Sequence, residues 1–264
     1  MPFSFSQLST YSTCPRKYEF ANVKKIPRSI SAGESFGSSV HNTLSRFGKR
    51  EVENGKRKVE KGQLALFMEK EDVPPALTLD TLIELWHQSF IVQGYASKVD
   101  ADSARKRGEK IMQHFFLWWA ERPREVIAIE QGFTVSLGNA TEQSIRGRFD
   151  RIEKDEEGLH IIDFKTGSLR TQEETDADLQ LSMYSIAAEQ IFALPCNRLT
   201  LLFLHEDGVT EVHTTRSDNQ KNLAAKDITV LATAIEEEDF TPTPSLKTCK
   251  HCPYRGICNA AMLS

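Results

Sequence analysis

The chain has 264 residues, 39% of them apolar and 15 of them phenylalanine, so it can bury a sizeable core without covalent staples. Its five cysteines are an odd number, which argues against a disulfide framework, and no apolar run approaches the ~20 residues needed to span a bilayer. The net charge of −4 argues only weakly against nucleic acid, because phosphate binding depends on local charge, and the opening MPFSFSQLSTYSTCPRKYEF lacks the basic-then-apolar order of a secretory signal. A soluble, intracellular (cytoplasmic) protein away from membranes is therefore expected.

In chain order, SFSQLSTYST predicts a short helix capped by Ser4 or Ser6, and Pro15 predicts a second helix starting there. GESFGSSVHNTLSRFGKR (33–50) sets Phe36, Val40, Leu44 and Phe47 at helical spacing. The stretch 48–62 is mostly polar and reads as loose. Residues 46–62 hold seven Lys/Arg against three Glu, and ARKRGEK (104–110) is a second basic knot. Each is either a solvated face or a surface for DNA or a protein partner. Residues 77–95 and 103–121 read as longer helices, the second with Ile111, Phe115 and Trp118 on one face and Pro123 after it. Strands are predicted over 126–137, 142–155 and 158–167, then a helix over 179–192. Two strands flank an Asp207-Gly208 hairpin turn, and a helix follows over 217–238. This order implies an α/β fold with a five-stranded core, a single domain over 1–264, a helical insertion at 48–121 and a C-terminal cysteine segment at 242–264.

The most informative chemistry lies in IIDFKTG. Asp163 and Lys165 are two apart in a strand and share one face, while Ile162 and Phe164 take the other. A charged pair inside an apolar strand is costly unless it is solvated, paired or bound to metal. RGRFD ends near Asp150, and pairing through the intervening turn would bring Asp150 to Asp163. Two carboxylates with space between them suit a hard divalent ion, and a neighbouring lysine suits water orientation or charge stabilisation. A plain Asp-Lys ion pair on a half-exposed strand is the alternative. His41, on the GSSVH helix, is a candidate third ligand. Gln180 and Tyr184 share one face of the later helix, where they can touch phosphate or hold Lys165. Glu130 is a further acidic candidate in the first long strand.

The C-terminal CKHCPYRGIC has C-x2-C-x5-C spacing, with Cys249, Cys252 and Cys258. Of the other two cysteines, Cys196 precedes an apolar strand and reads as an inert buried thiol. Cys14, in STCPRKYEF, shares the cysteine, proline, basic and aromatic flavour of HCPYRGIC and is the better fourth ligand. Zinc and a [4Fe-4S] cluster both accept four thiolates, and the spacing leaves both open.

Taken together, SFSQLSTYSTCPRKYEF, GSSVH, GRFD, IIDFKTG, QLSMY and CKHCPYRGIC resemble the RecB-like branch of the PD-(D/E)XK nuclease superfamily. More narrowly, the chain resembles its iron-sulfur exonucleases, related to Cas4-like proteins and AddB-type nuclease domains. That resemblance implies a restriction-endonuclease-like core, with a central mixed sheet flanked by helices and an iron-sulfur staple between the N- and C-terminal regions. It implies metal ligation by His41, Asp150 and Asp163, a catalytic Lys165, a supporting Gln180 and Tyr184, and a [4Fe-4S] cluster on Cys14, Cys249, Cys252 and Cys258. The implied activity is Mg²⁺- or Mn²⁺-dependent exonucleolytic cleavage of DNA, on single strands or free ends.

No Walker-type nucleotide motif is present, so unwinding is not intrinsic by that route, and a helicase or repair-protein partner is an accompanying expectation. Two rival readings are a non-catalytic DNA-binding or adaptor subunit of a repair or recombination complex, and a redox iron-sulfur enzyme. The first sits poorly with a full set of charged groups. The second sits poorly with the lack of any flavin or nucleotide motif around the cysteines.

Overall fold

The computed structural model describes residues 2–64, 77–121, 125–138 and 143–262, with side chains excluded over 56–64. Its centre is a six-stranded mixed sheet ordered β1-β3-β4-β5-β6, with β2 also paired to β3. The long strands are β2 (Glu125–Ser136), β3 (Ser144–Lys154), β4 (Leu159–Lys165), β5 (Cys196–His205) and β6 (Gly208–Thr214), close to the five expected. The sixth, β1 (Phe3–Ser4), is two residues long, too short for any alternation to reveal, and exists because it pairs in parallel with Ile145 and Arg146 of β3.

Helices cover both faces. On one side lie α1 (Phe5–Thr13), α7 (Leu179–Phe192) and α8 (Asp218–Glu236), packed on Leu159, Ile161, Leu199, Leu201 and Phe203. On the other lie α3 (Ala32–Leu64), α4 (Leu79–Ser89) and α5 (Lys98–Ala120), packed on Ile162, Phe164, Leu202 and Leu204. The alternation along β4 and β5 is thus the period-two division of a sheet buried on both faces. Smaller elements are α2 (Pro15–Tyr18), a π-helical turn (Glu19–Val23), α6 (Gln172–Asp176) and α9 (Leu246–Lys250).

Local signals explain several boundaries. Ser4 caps α1 in a reciprocal box with Gln7, and Ser217 does the same for α8 with Gln220. Ser31 and Glu34 exchange the equivalent bonds at the start of α3. The expectation of a loose 48–62 is corrected, since the α3 backbone continues to Leu64. The stretch is mostly polar and charged, so periodicity gave no cue. Gly108 lets α4 and α5 close, since a Cβ there would fall 1.9 Å from the Trp86 ring. The guanidiniums of Arg105 and Arg107, within the second basic knot, lie over the Phe90 and Phe36 rings at 4.8 and 4.2 Å, so those two cations cover the helical core. No described helix is long and apolar enough to cross a membrane.

Candidate metal and active site

The site opens where the sheet forks. One edge of β3 pairs with β1 at Ile145 and Arg146 and with β4 from Arg151 to Lys154. Between these ladders, side chains satisfy the backbone groups. Tyr184 donates its hydroxyl to the Arg148 carbonyl at 2.9 Å, and the Phe164 N–H donates to Asp150 Oδ2 at 2.8 Å. Asp150 is thereby fixed at the fork, and its Oδ1 lies 3.2 Å from His41 Nδ1. His41 arrives on α3, which approaches β2 closely at Gly48, where a Cβ would come within 2.8 Å of Ile129 Cδ1.

Glu130 joins from β2. The flanking pairs Ile129↔Arg151 and Gln131↔Phe149 set it across from Asp150. Its φ of 50° is left-handed, and the buried positions of β2 change parity around it, from Ala128 to Phe133 and Val135. Such a conformation costs on the order of 1 kcal/mol or more for a non-glycine residue and tends to occur where a side chain must be aimed. Ligand atoms of His41, Glu130 and Asp150 all lie within 4.8 Å of one another, the one such group of three among the described residues. An imidazole and two carboxylates suit a divalent cation of the Mn²⁺ or Zn²⁺ type, and Mg²⁺ through the oxygens.

Asp163 is not in that trio. It is 2% exposed, and its Oδ2 lies 2.6 Å from Lys165 Nζ without a directional hydrogen bond. The shared face of Asp163 and Lys165 read from the sequence is the one turned to α7. There Lys165 Nζ donates to Gln180 Oε1 at 2.9 Å, and Gln180 Nε2 donates to Tyr184 Oη at 2.8 Å. The chain Lys165–Gln180–Tyr184–Arg148 carbonyl locks the lysine to the β3 backbone. Glu130, held only loosely from sequence, is the residue whose weight grows. Its signal was the register with Asp150, which no single-strand pattern displays.

Electrostatics follow the geometry. Burial drives the Asp163 carboxyl upward and the nearby Asp150 adds to this, while Lys165 and His41 oppose it. Burial works against charge on His41, but the hydrogen bond and charge of Asp150, with the charge of Asp163, raise it to about 9. Burial and the two aspartates hold the Tyr184 hydroxyl well above its ordinary value, so it stays a donor.

The cysteines occupy a second place. Cys14, Cys249, Cys252 and Cys258 line one small cavity together with Phe20 and Tyr254, and all are free thiols. The walls are tied across the chain. Tyr18 stacks on Phe240 at 6.1 Å, Tyr254 donates to the Ile26 carbonyl at 3.2 Å, and Tyr11 donates to the Asp239 carbonyl at 2.6 Å. Burial would raise the Cys14 thiol, but hydrogen bonds from Thr243, Lys17 and Arg16 pull it below its ordinary value. Cys196 lies apart, and burial pushes it up to about 12, as befits an inert thiol.

Comparison with known proteins decides the family: the model of the PD-(D/E)XK nuclease superfamily matches residues 2–259. The chain belongs to that superfamily. The forked sheet, with Asp150 on one tine and Asp163 and Lys165 on the next, is the restriction-endonuclease-like core of this PD-(D/E)XK protein. Among curated proteins it is similar to the Gene 69 protein of Mycobacterium phage L5, at 20% identity over 287 residues, covering 97% of this chain and 95% of the relative. Among solved structures it is similar to the crystal structure of SSO0001, at 15% identity and a TM-score of 0.39, covering 97% of this chain and 98% of that one.

Proposed function

We propose that this PD-(D/E)XK protein is a Mg²⁺- or Mn²⁺-dependent deoxyribonuclease that acts as an exonuclease on single strands or free DNA ends. The observation that carries the reading is the convergence of His41, Glu130 and Asp150 within 4.8 Å at a fork of the sheet that also holds the Asp163–Lys165 pair. His41, Glu130 and Asp150 would hold a divalent ion, with Asp163, whose Oδ2 is paired with Lys165 Nζ at 2.6 Å, beside them in the acidic set. Such an ion supplies Lewis-acid charge and makes water acidic enough to attack at neutral pH.

The remaining work belongs to the chain. Lys165 holds a positive charge beside the place where phosphate oxygens gain negative charge, and it can also orient the attacking water. Gln180 and Tyr184 keep that ammonium from swinging toward solvent, so its orientation is fixed before the substrate arrives. Asp150 ties β3 to β4 at the fork by accepting from the Phe164 N–H at Oδ2, which leaves Oδ1, beside His41, as the oxygen that would hold an ion. Asp163→Ala and Lys165→Ala, assayed on end-labelled single-stranded DNA with Mg²⁺ and with Mn²⁺, test this assignment. Wild-type cleavage in both variants would sink it.

The cysteine cavity is read as a [4Fe-4S] site that holds the N- and C-terminal regions together and takes no part in cleavage. Four free thiols around one apolar cavity support it, as does the thiolate-favouring setting of Cys14. Protein purified without oxygen should absorb in the visible range, whereas a colourless protein carrying zinc would refute the cluster. A helicase or repair protein that supplies single strands is the partner this activity calls for.

A further inference from the structure

Beside the fork, no described helix covers one face of the β1-β3-β2 ribbon. Its buried face carries Phe133, Val135, Ile145 and Phe149. Its other face bears a shallow groove of about 560 Å³ lined by Ser4, Gly132, Phe133, Thr134, Arg146, Gly147 and Arg148, none of them acidic. The registers arrange these residues in two rungs. Ser4 and Thr134 flank Arg146 from either side in one, and Gly132 is opposite Arg148 in the other. Successive same-face rungs lie about 6.8 Å apart along a strand, close to the span of one nucleotide in an extended chain. The next pair of positions along the ribbon is Glu130 and Asp150, in the candidate metal site. Arg148 joins the two places, with Nη1 3.1 Å from Glu130 Oε2 while its side chain is 67% exposed.

Gly132 supplies an independent sign that the space is kept for something outside the fold. A Cβ there would meet nothing closer than the Gly147 carbonyl at 3.9 Å, and its φ is not in the left-handed region, so neither packing nor backbone demands a glycine. At Gly147, by contrast, a Cβ would fall 2.5 Å from the Phe133 ring. A strand glycine with no internal cause is expected where another backbone approaches closely.

We infer that this groove is the platform on which the sugar-phosphate backbone of single-stranded DNA lies as its end enters the site, with Arg146 and Arg148 on successive phosphates and the Thr134 hydroxyl beside them. The inference rests on the nuclease reading and extends it to the strand's path. Two guanidiniums set two residues apart contact phosphates without reading bases, so binding is indifferent to sequence. Arg148 also has two alternative anionic partners, Glu130 and a phosphate.

The test is fluorescence anisotropy of a labelled oligothymidylate at rising NaCl, in EDTA so that no cleavage occurs. Each phosphate contact contributes about 0.7 to the slope of log K against log salt for a single strand. Arg146→Ala and Arg148→Ala should each weaken binding several-fold and lower the slope by about that amount, and the double variant by about twice it. Gly132→Val should weaken binding while its melting temperature does not fall, since a β-branched residue suits an exposed strand. Wild-type affinity and slope in the arginine variants, or wild-type binding by Gly132→Val, would overturn the platform. Wild-type cleavage with Mn²⁺ in the same preparation separates the two claims. Cleavage with insensitive variants defeats the platform alone, whereas no cleavage by the wild type defeats the nuclease reading.

Discussion

The two candidate centres of this molecule are opposites in design. The His41–Glu130–Asp150 site is an open, charged fork between strands, carrying one left-handed residue and one carboxylate oxygen with no directional hydrogen bond. The cysteine cavity is small and apolar, and aromatic contacts join its two walls. The fork combines a left-handed backbone residue with a buried carboxylate paired to a lysine. The cysteine cavity is lined by residues of the N- and C-terminal regions alone. The contrast teaches that four thiols at one place and three hard ligands at another are not parts of one centre. Loss of the first should unfold, and loss of the second should leave a folded, inactive protein.

The sharpest way to break that comparison is at the fork. Asp150→Ala and Lys165→Ala should each lower the cleavage rate roughly 10²–10³-fold, the range seen when one preorganised charge-stabilising group is lost. Circular dichroism of Lys165→Ala should match the wild type. A variant of either kind that cuts at the wild-type rate on end-labelled DNA would remove the fork from the chemistry.

At the other centre, Cys14→Ala should lower the melting temperature on the order of 10 °C, as much as Cys258→Ala, because a metal group held there would couple its binding to folding. Cys196→Ala should cost only about 1 kcal/mol and leave bound metal unchanged. Metal content by elemental analysis and a thermal melt of the three variants check both halves. Full metal retention in Cys14→Ala would separate the N-terminal region from the cavity.

The pH dependence distinguishes the centres more finely. His41 titrates at about 9 in the metal-free protein against an ordinary 6.5. Its proton must leave before the imidazole can bind a cation, so Mn²⁺ affinity at the fork should rise by up to about tenfold per pH unit below 9 and then level. In the metal-free protein the sign for stability is the reverse. A raised folded-state value stabilises fully below the unfolded value of 6.5 and is lost as pH rises through about 9. Titration calorimetry with Mn²⁺ should show the slope in the wild type and a flatter one in His41→Ala. Equal slopes would exclude His41 as a ligand.

The smallest expected effect is at Glu130. Glu130→Gly relieves the left-handed backbone and should raise stability by about 1 kcal/mol, or a few degrees, while weakening Mn²⁺ binding. A variant that loses stability as well would show that the φ of 50° is not strained in this setting.

Much of this was legible in the sequence, and the reasons for success and failure are specific. Strands β3 to β6 and helix α7 announce themselves because Leu159, Ile161 and Phe203 serve one face and Ile162, Phe164 and Leu202 the other. Asp163 stands out because a carboxylate in such a strand needs a reason. The α3 extension to Leu64 was not legible, since its polar course lacks an apolar stripe. Nor was the weight of Glu130, because it depends on which residue lies opposite in β3 and on a single backbone torsion. The same holds for Arg146 and Arg148, whose exposure follows from the short β1 ending beside them rather than from any motif. Cys14 was singled out by local composition, and it lines one cavity with the terminal cysteines although 235 residues separate it from Cys249.

The most direct test of the account is a cleavage assay of wild type, Asp163→Ala and Lys165→Ala on 5′- and 3′-labelled single strands and closed circles, with Mg²⁺, Mn²⁺ or EDTA. The account predicts stepwise loss from an end by the wild type with either metal, none in EDTA, and none on circles, with both variants folded and inactive. Cleavage that persists in EDTA, or that both variants retain, would contradict it.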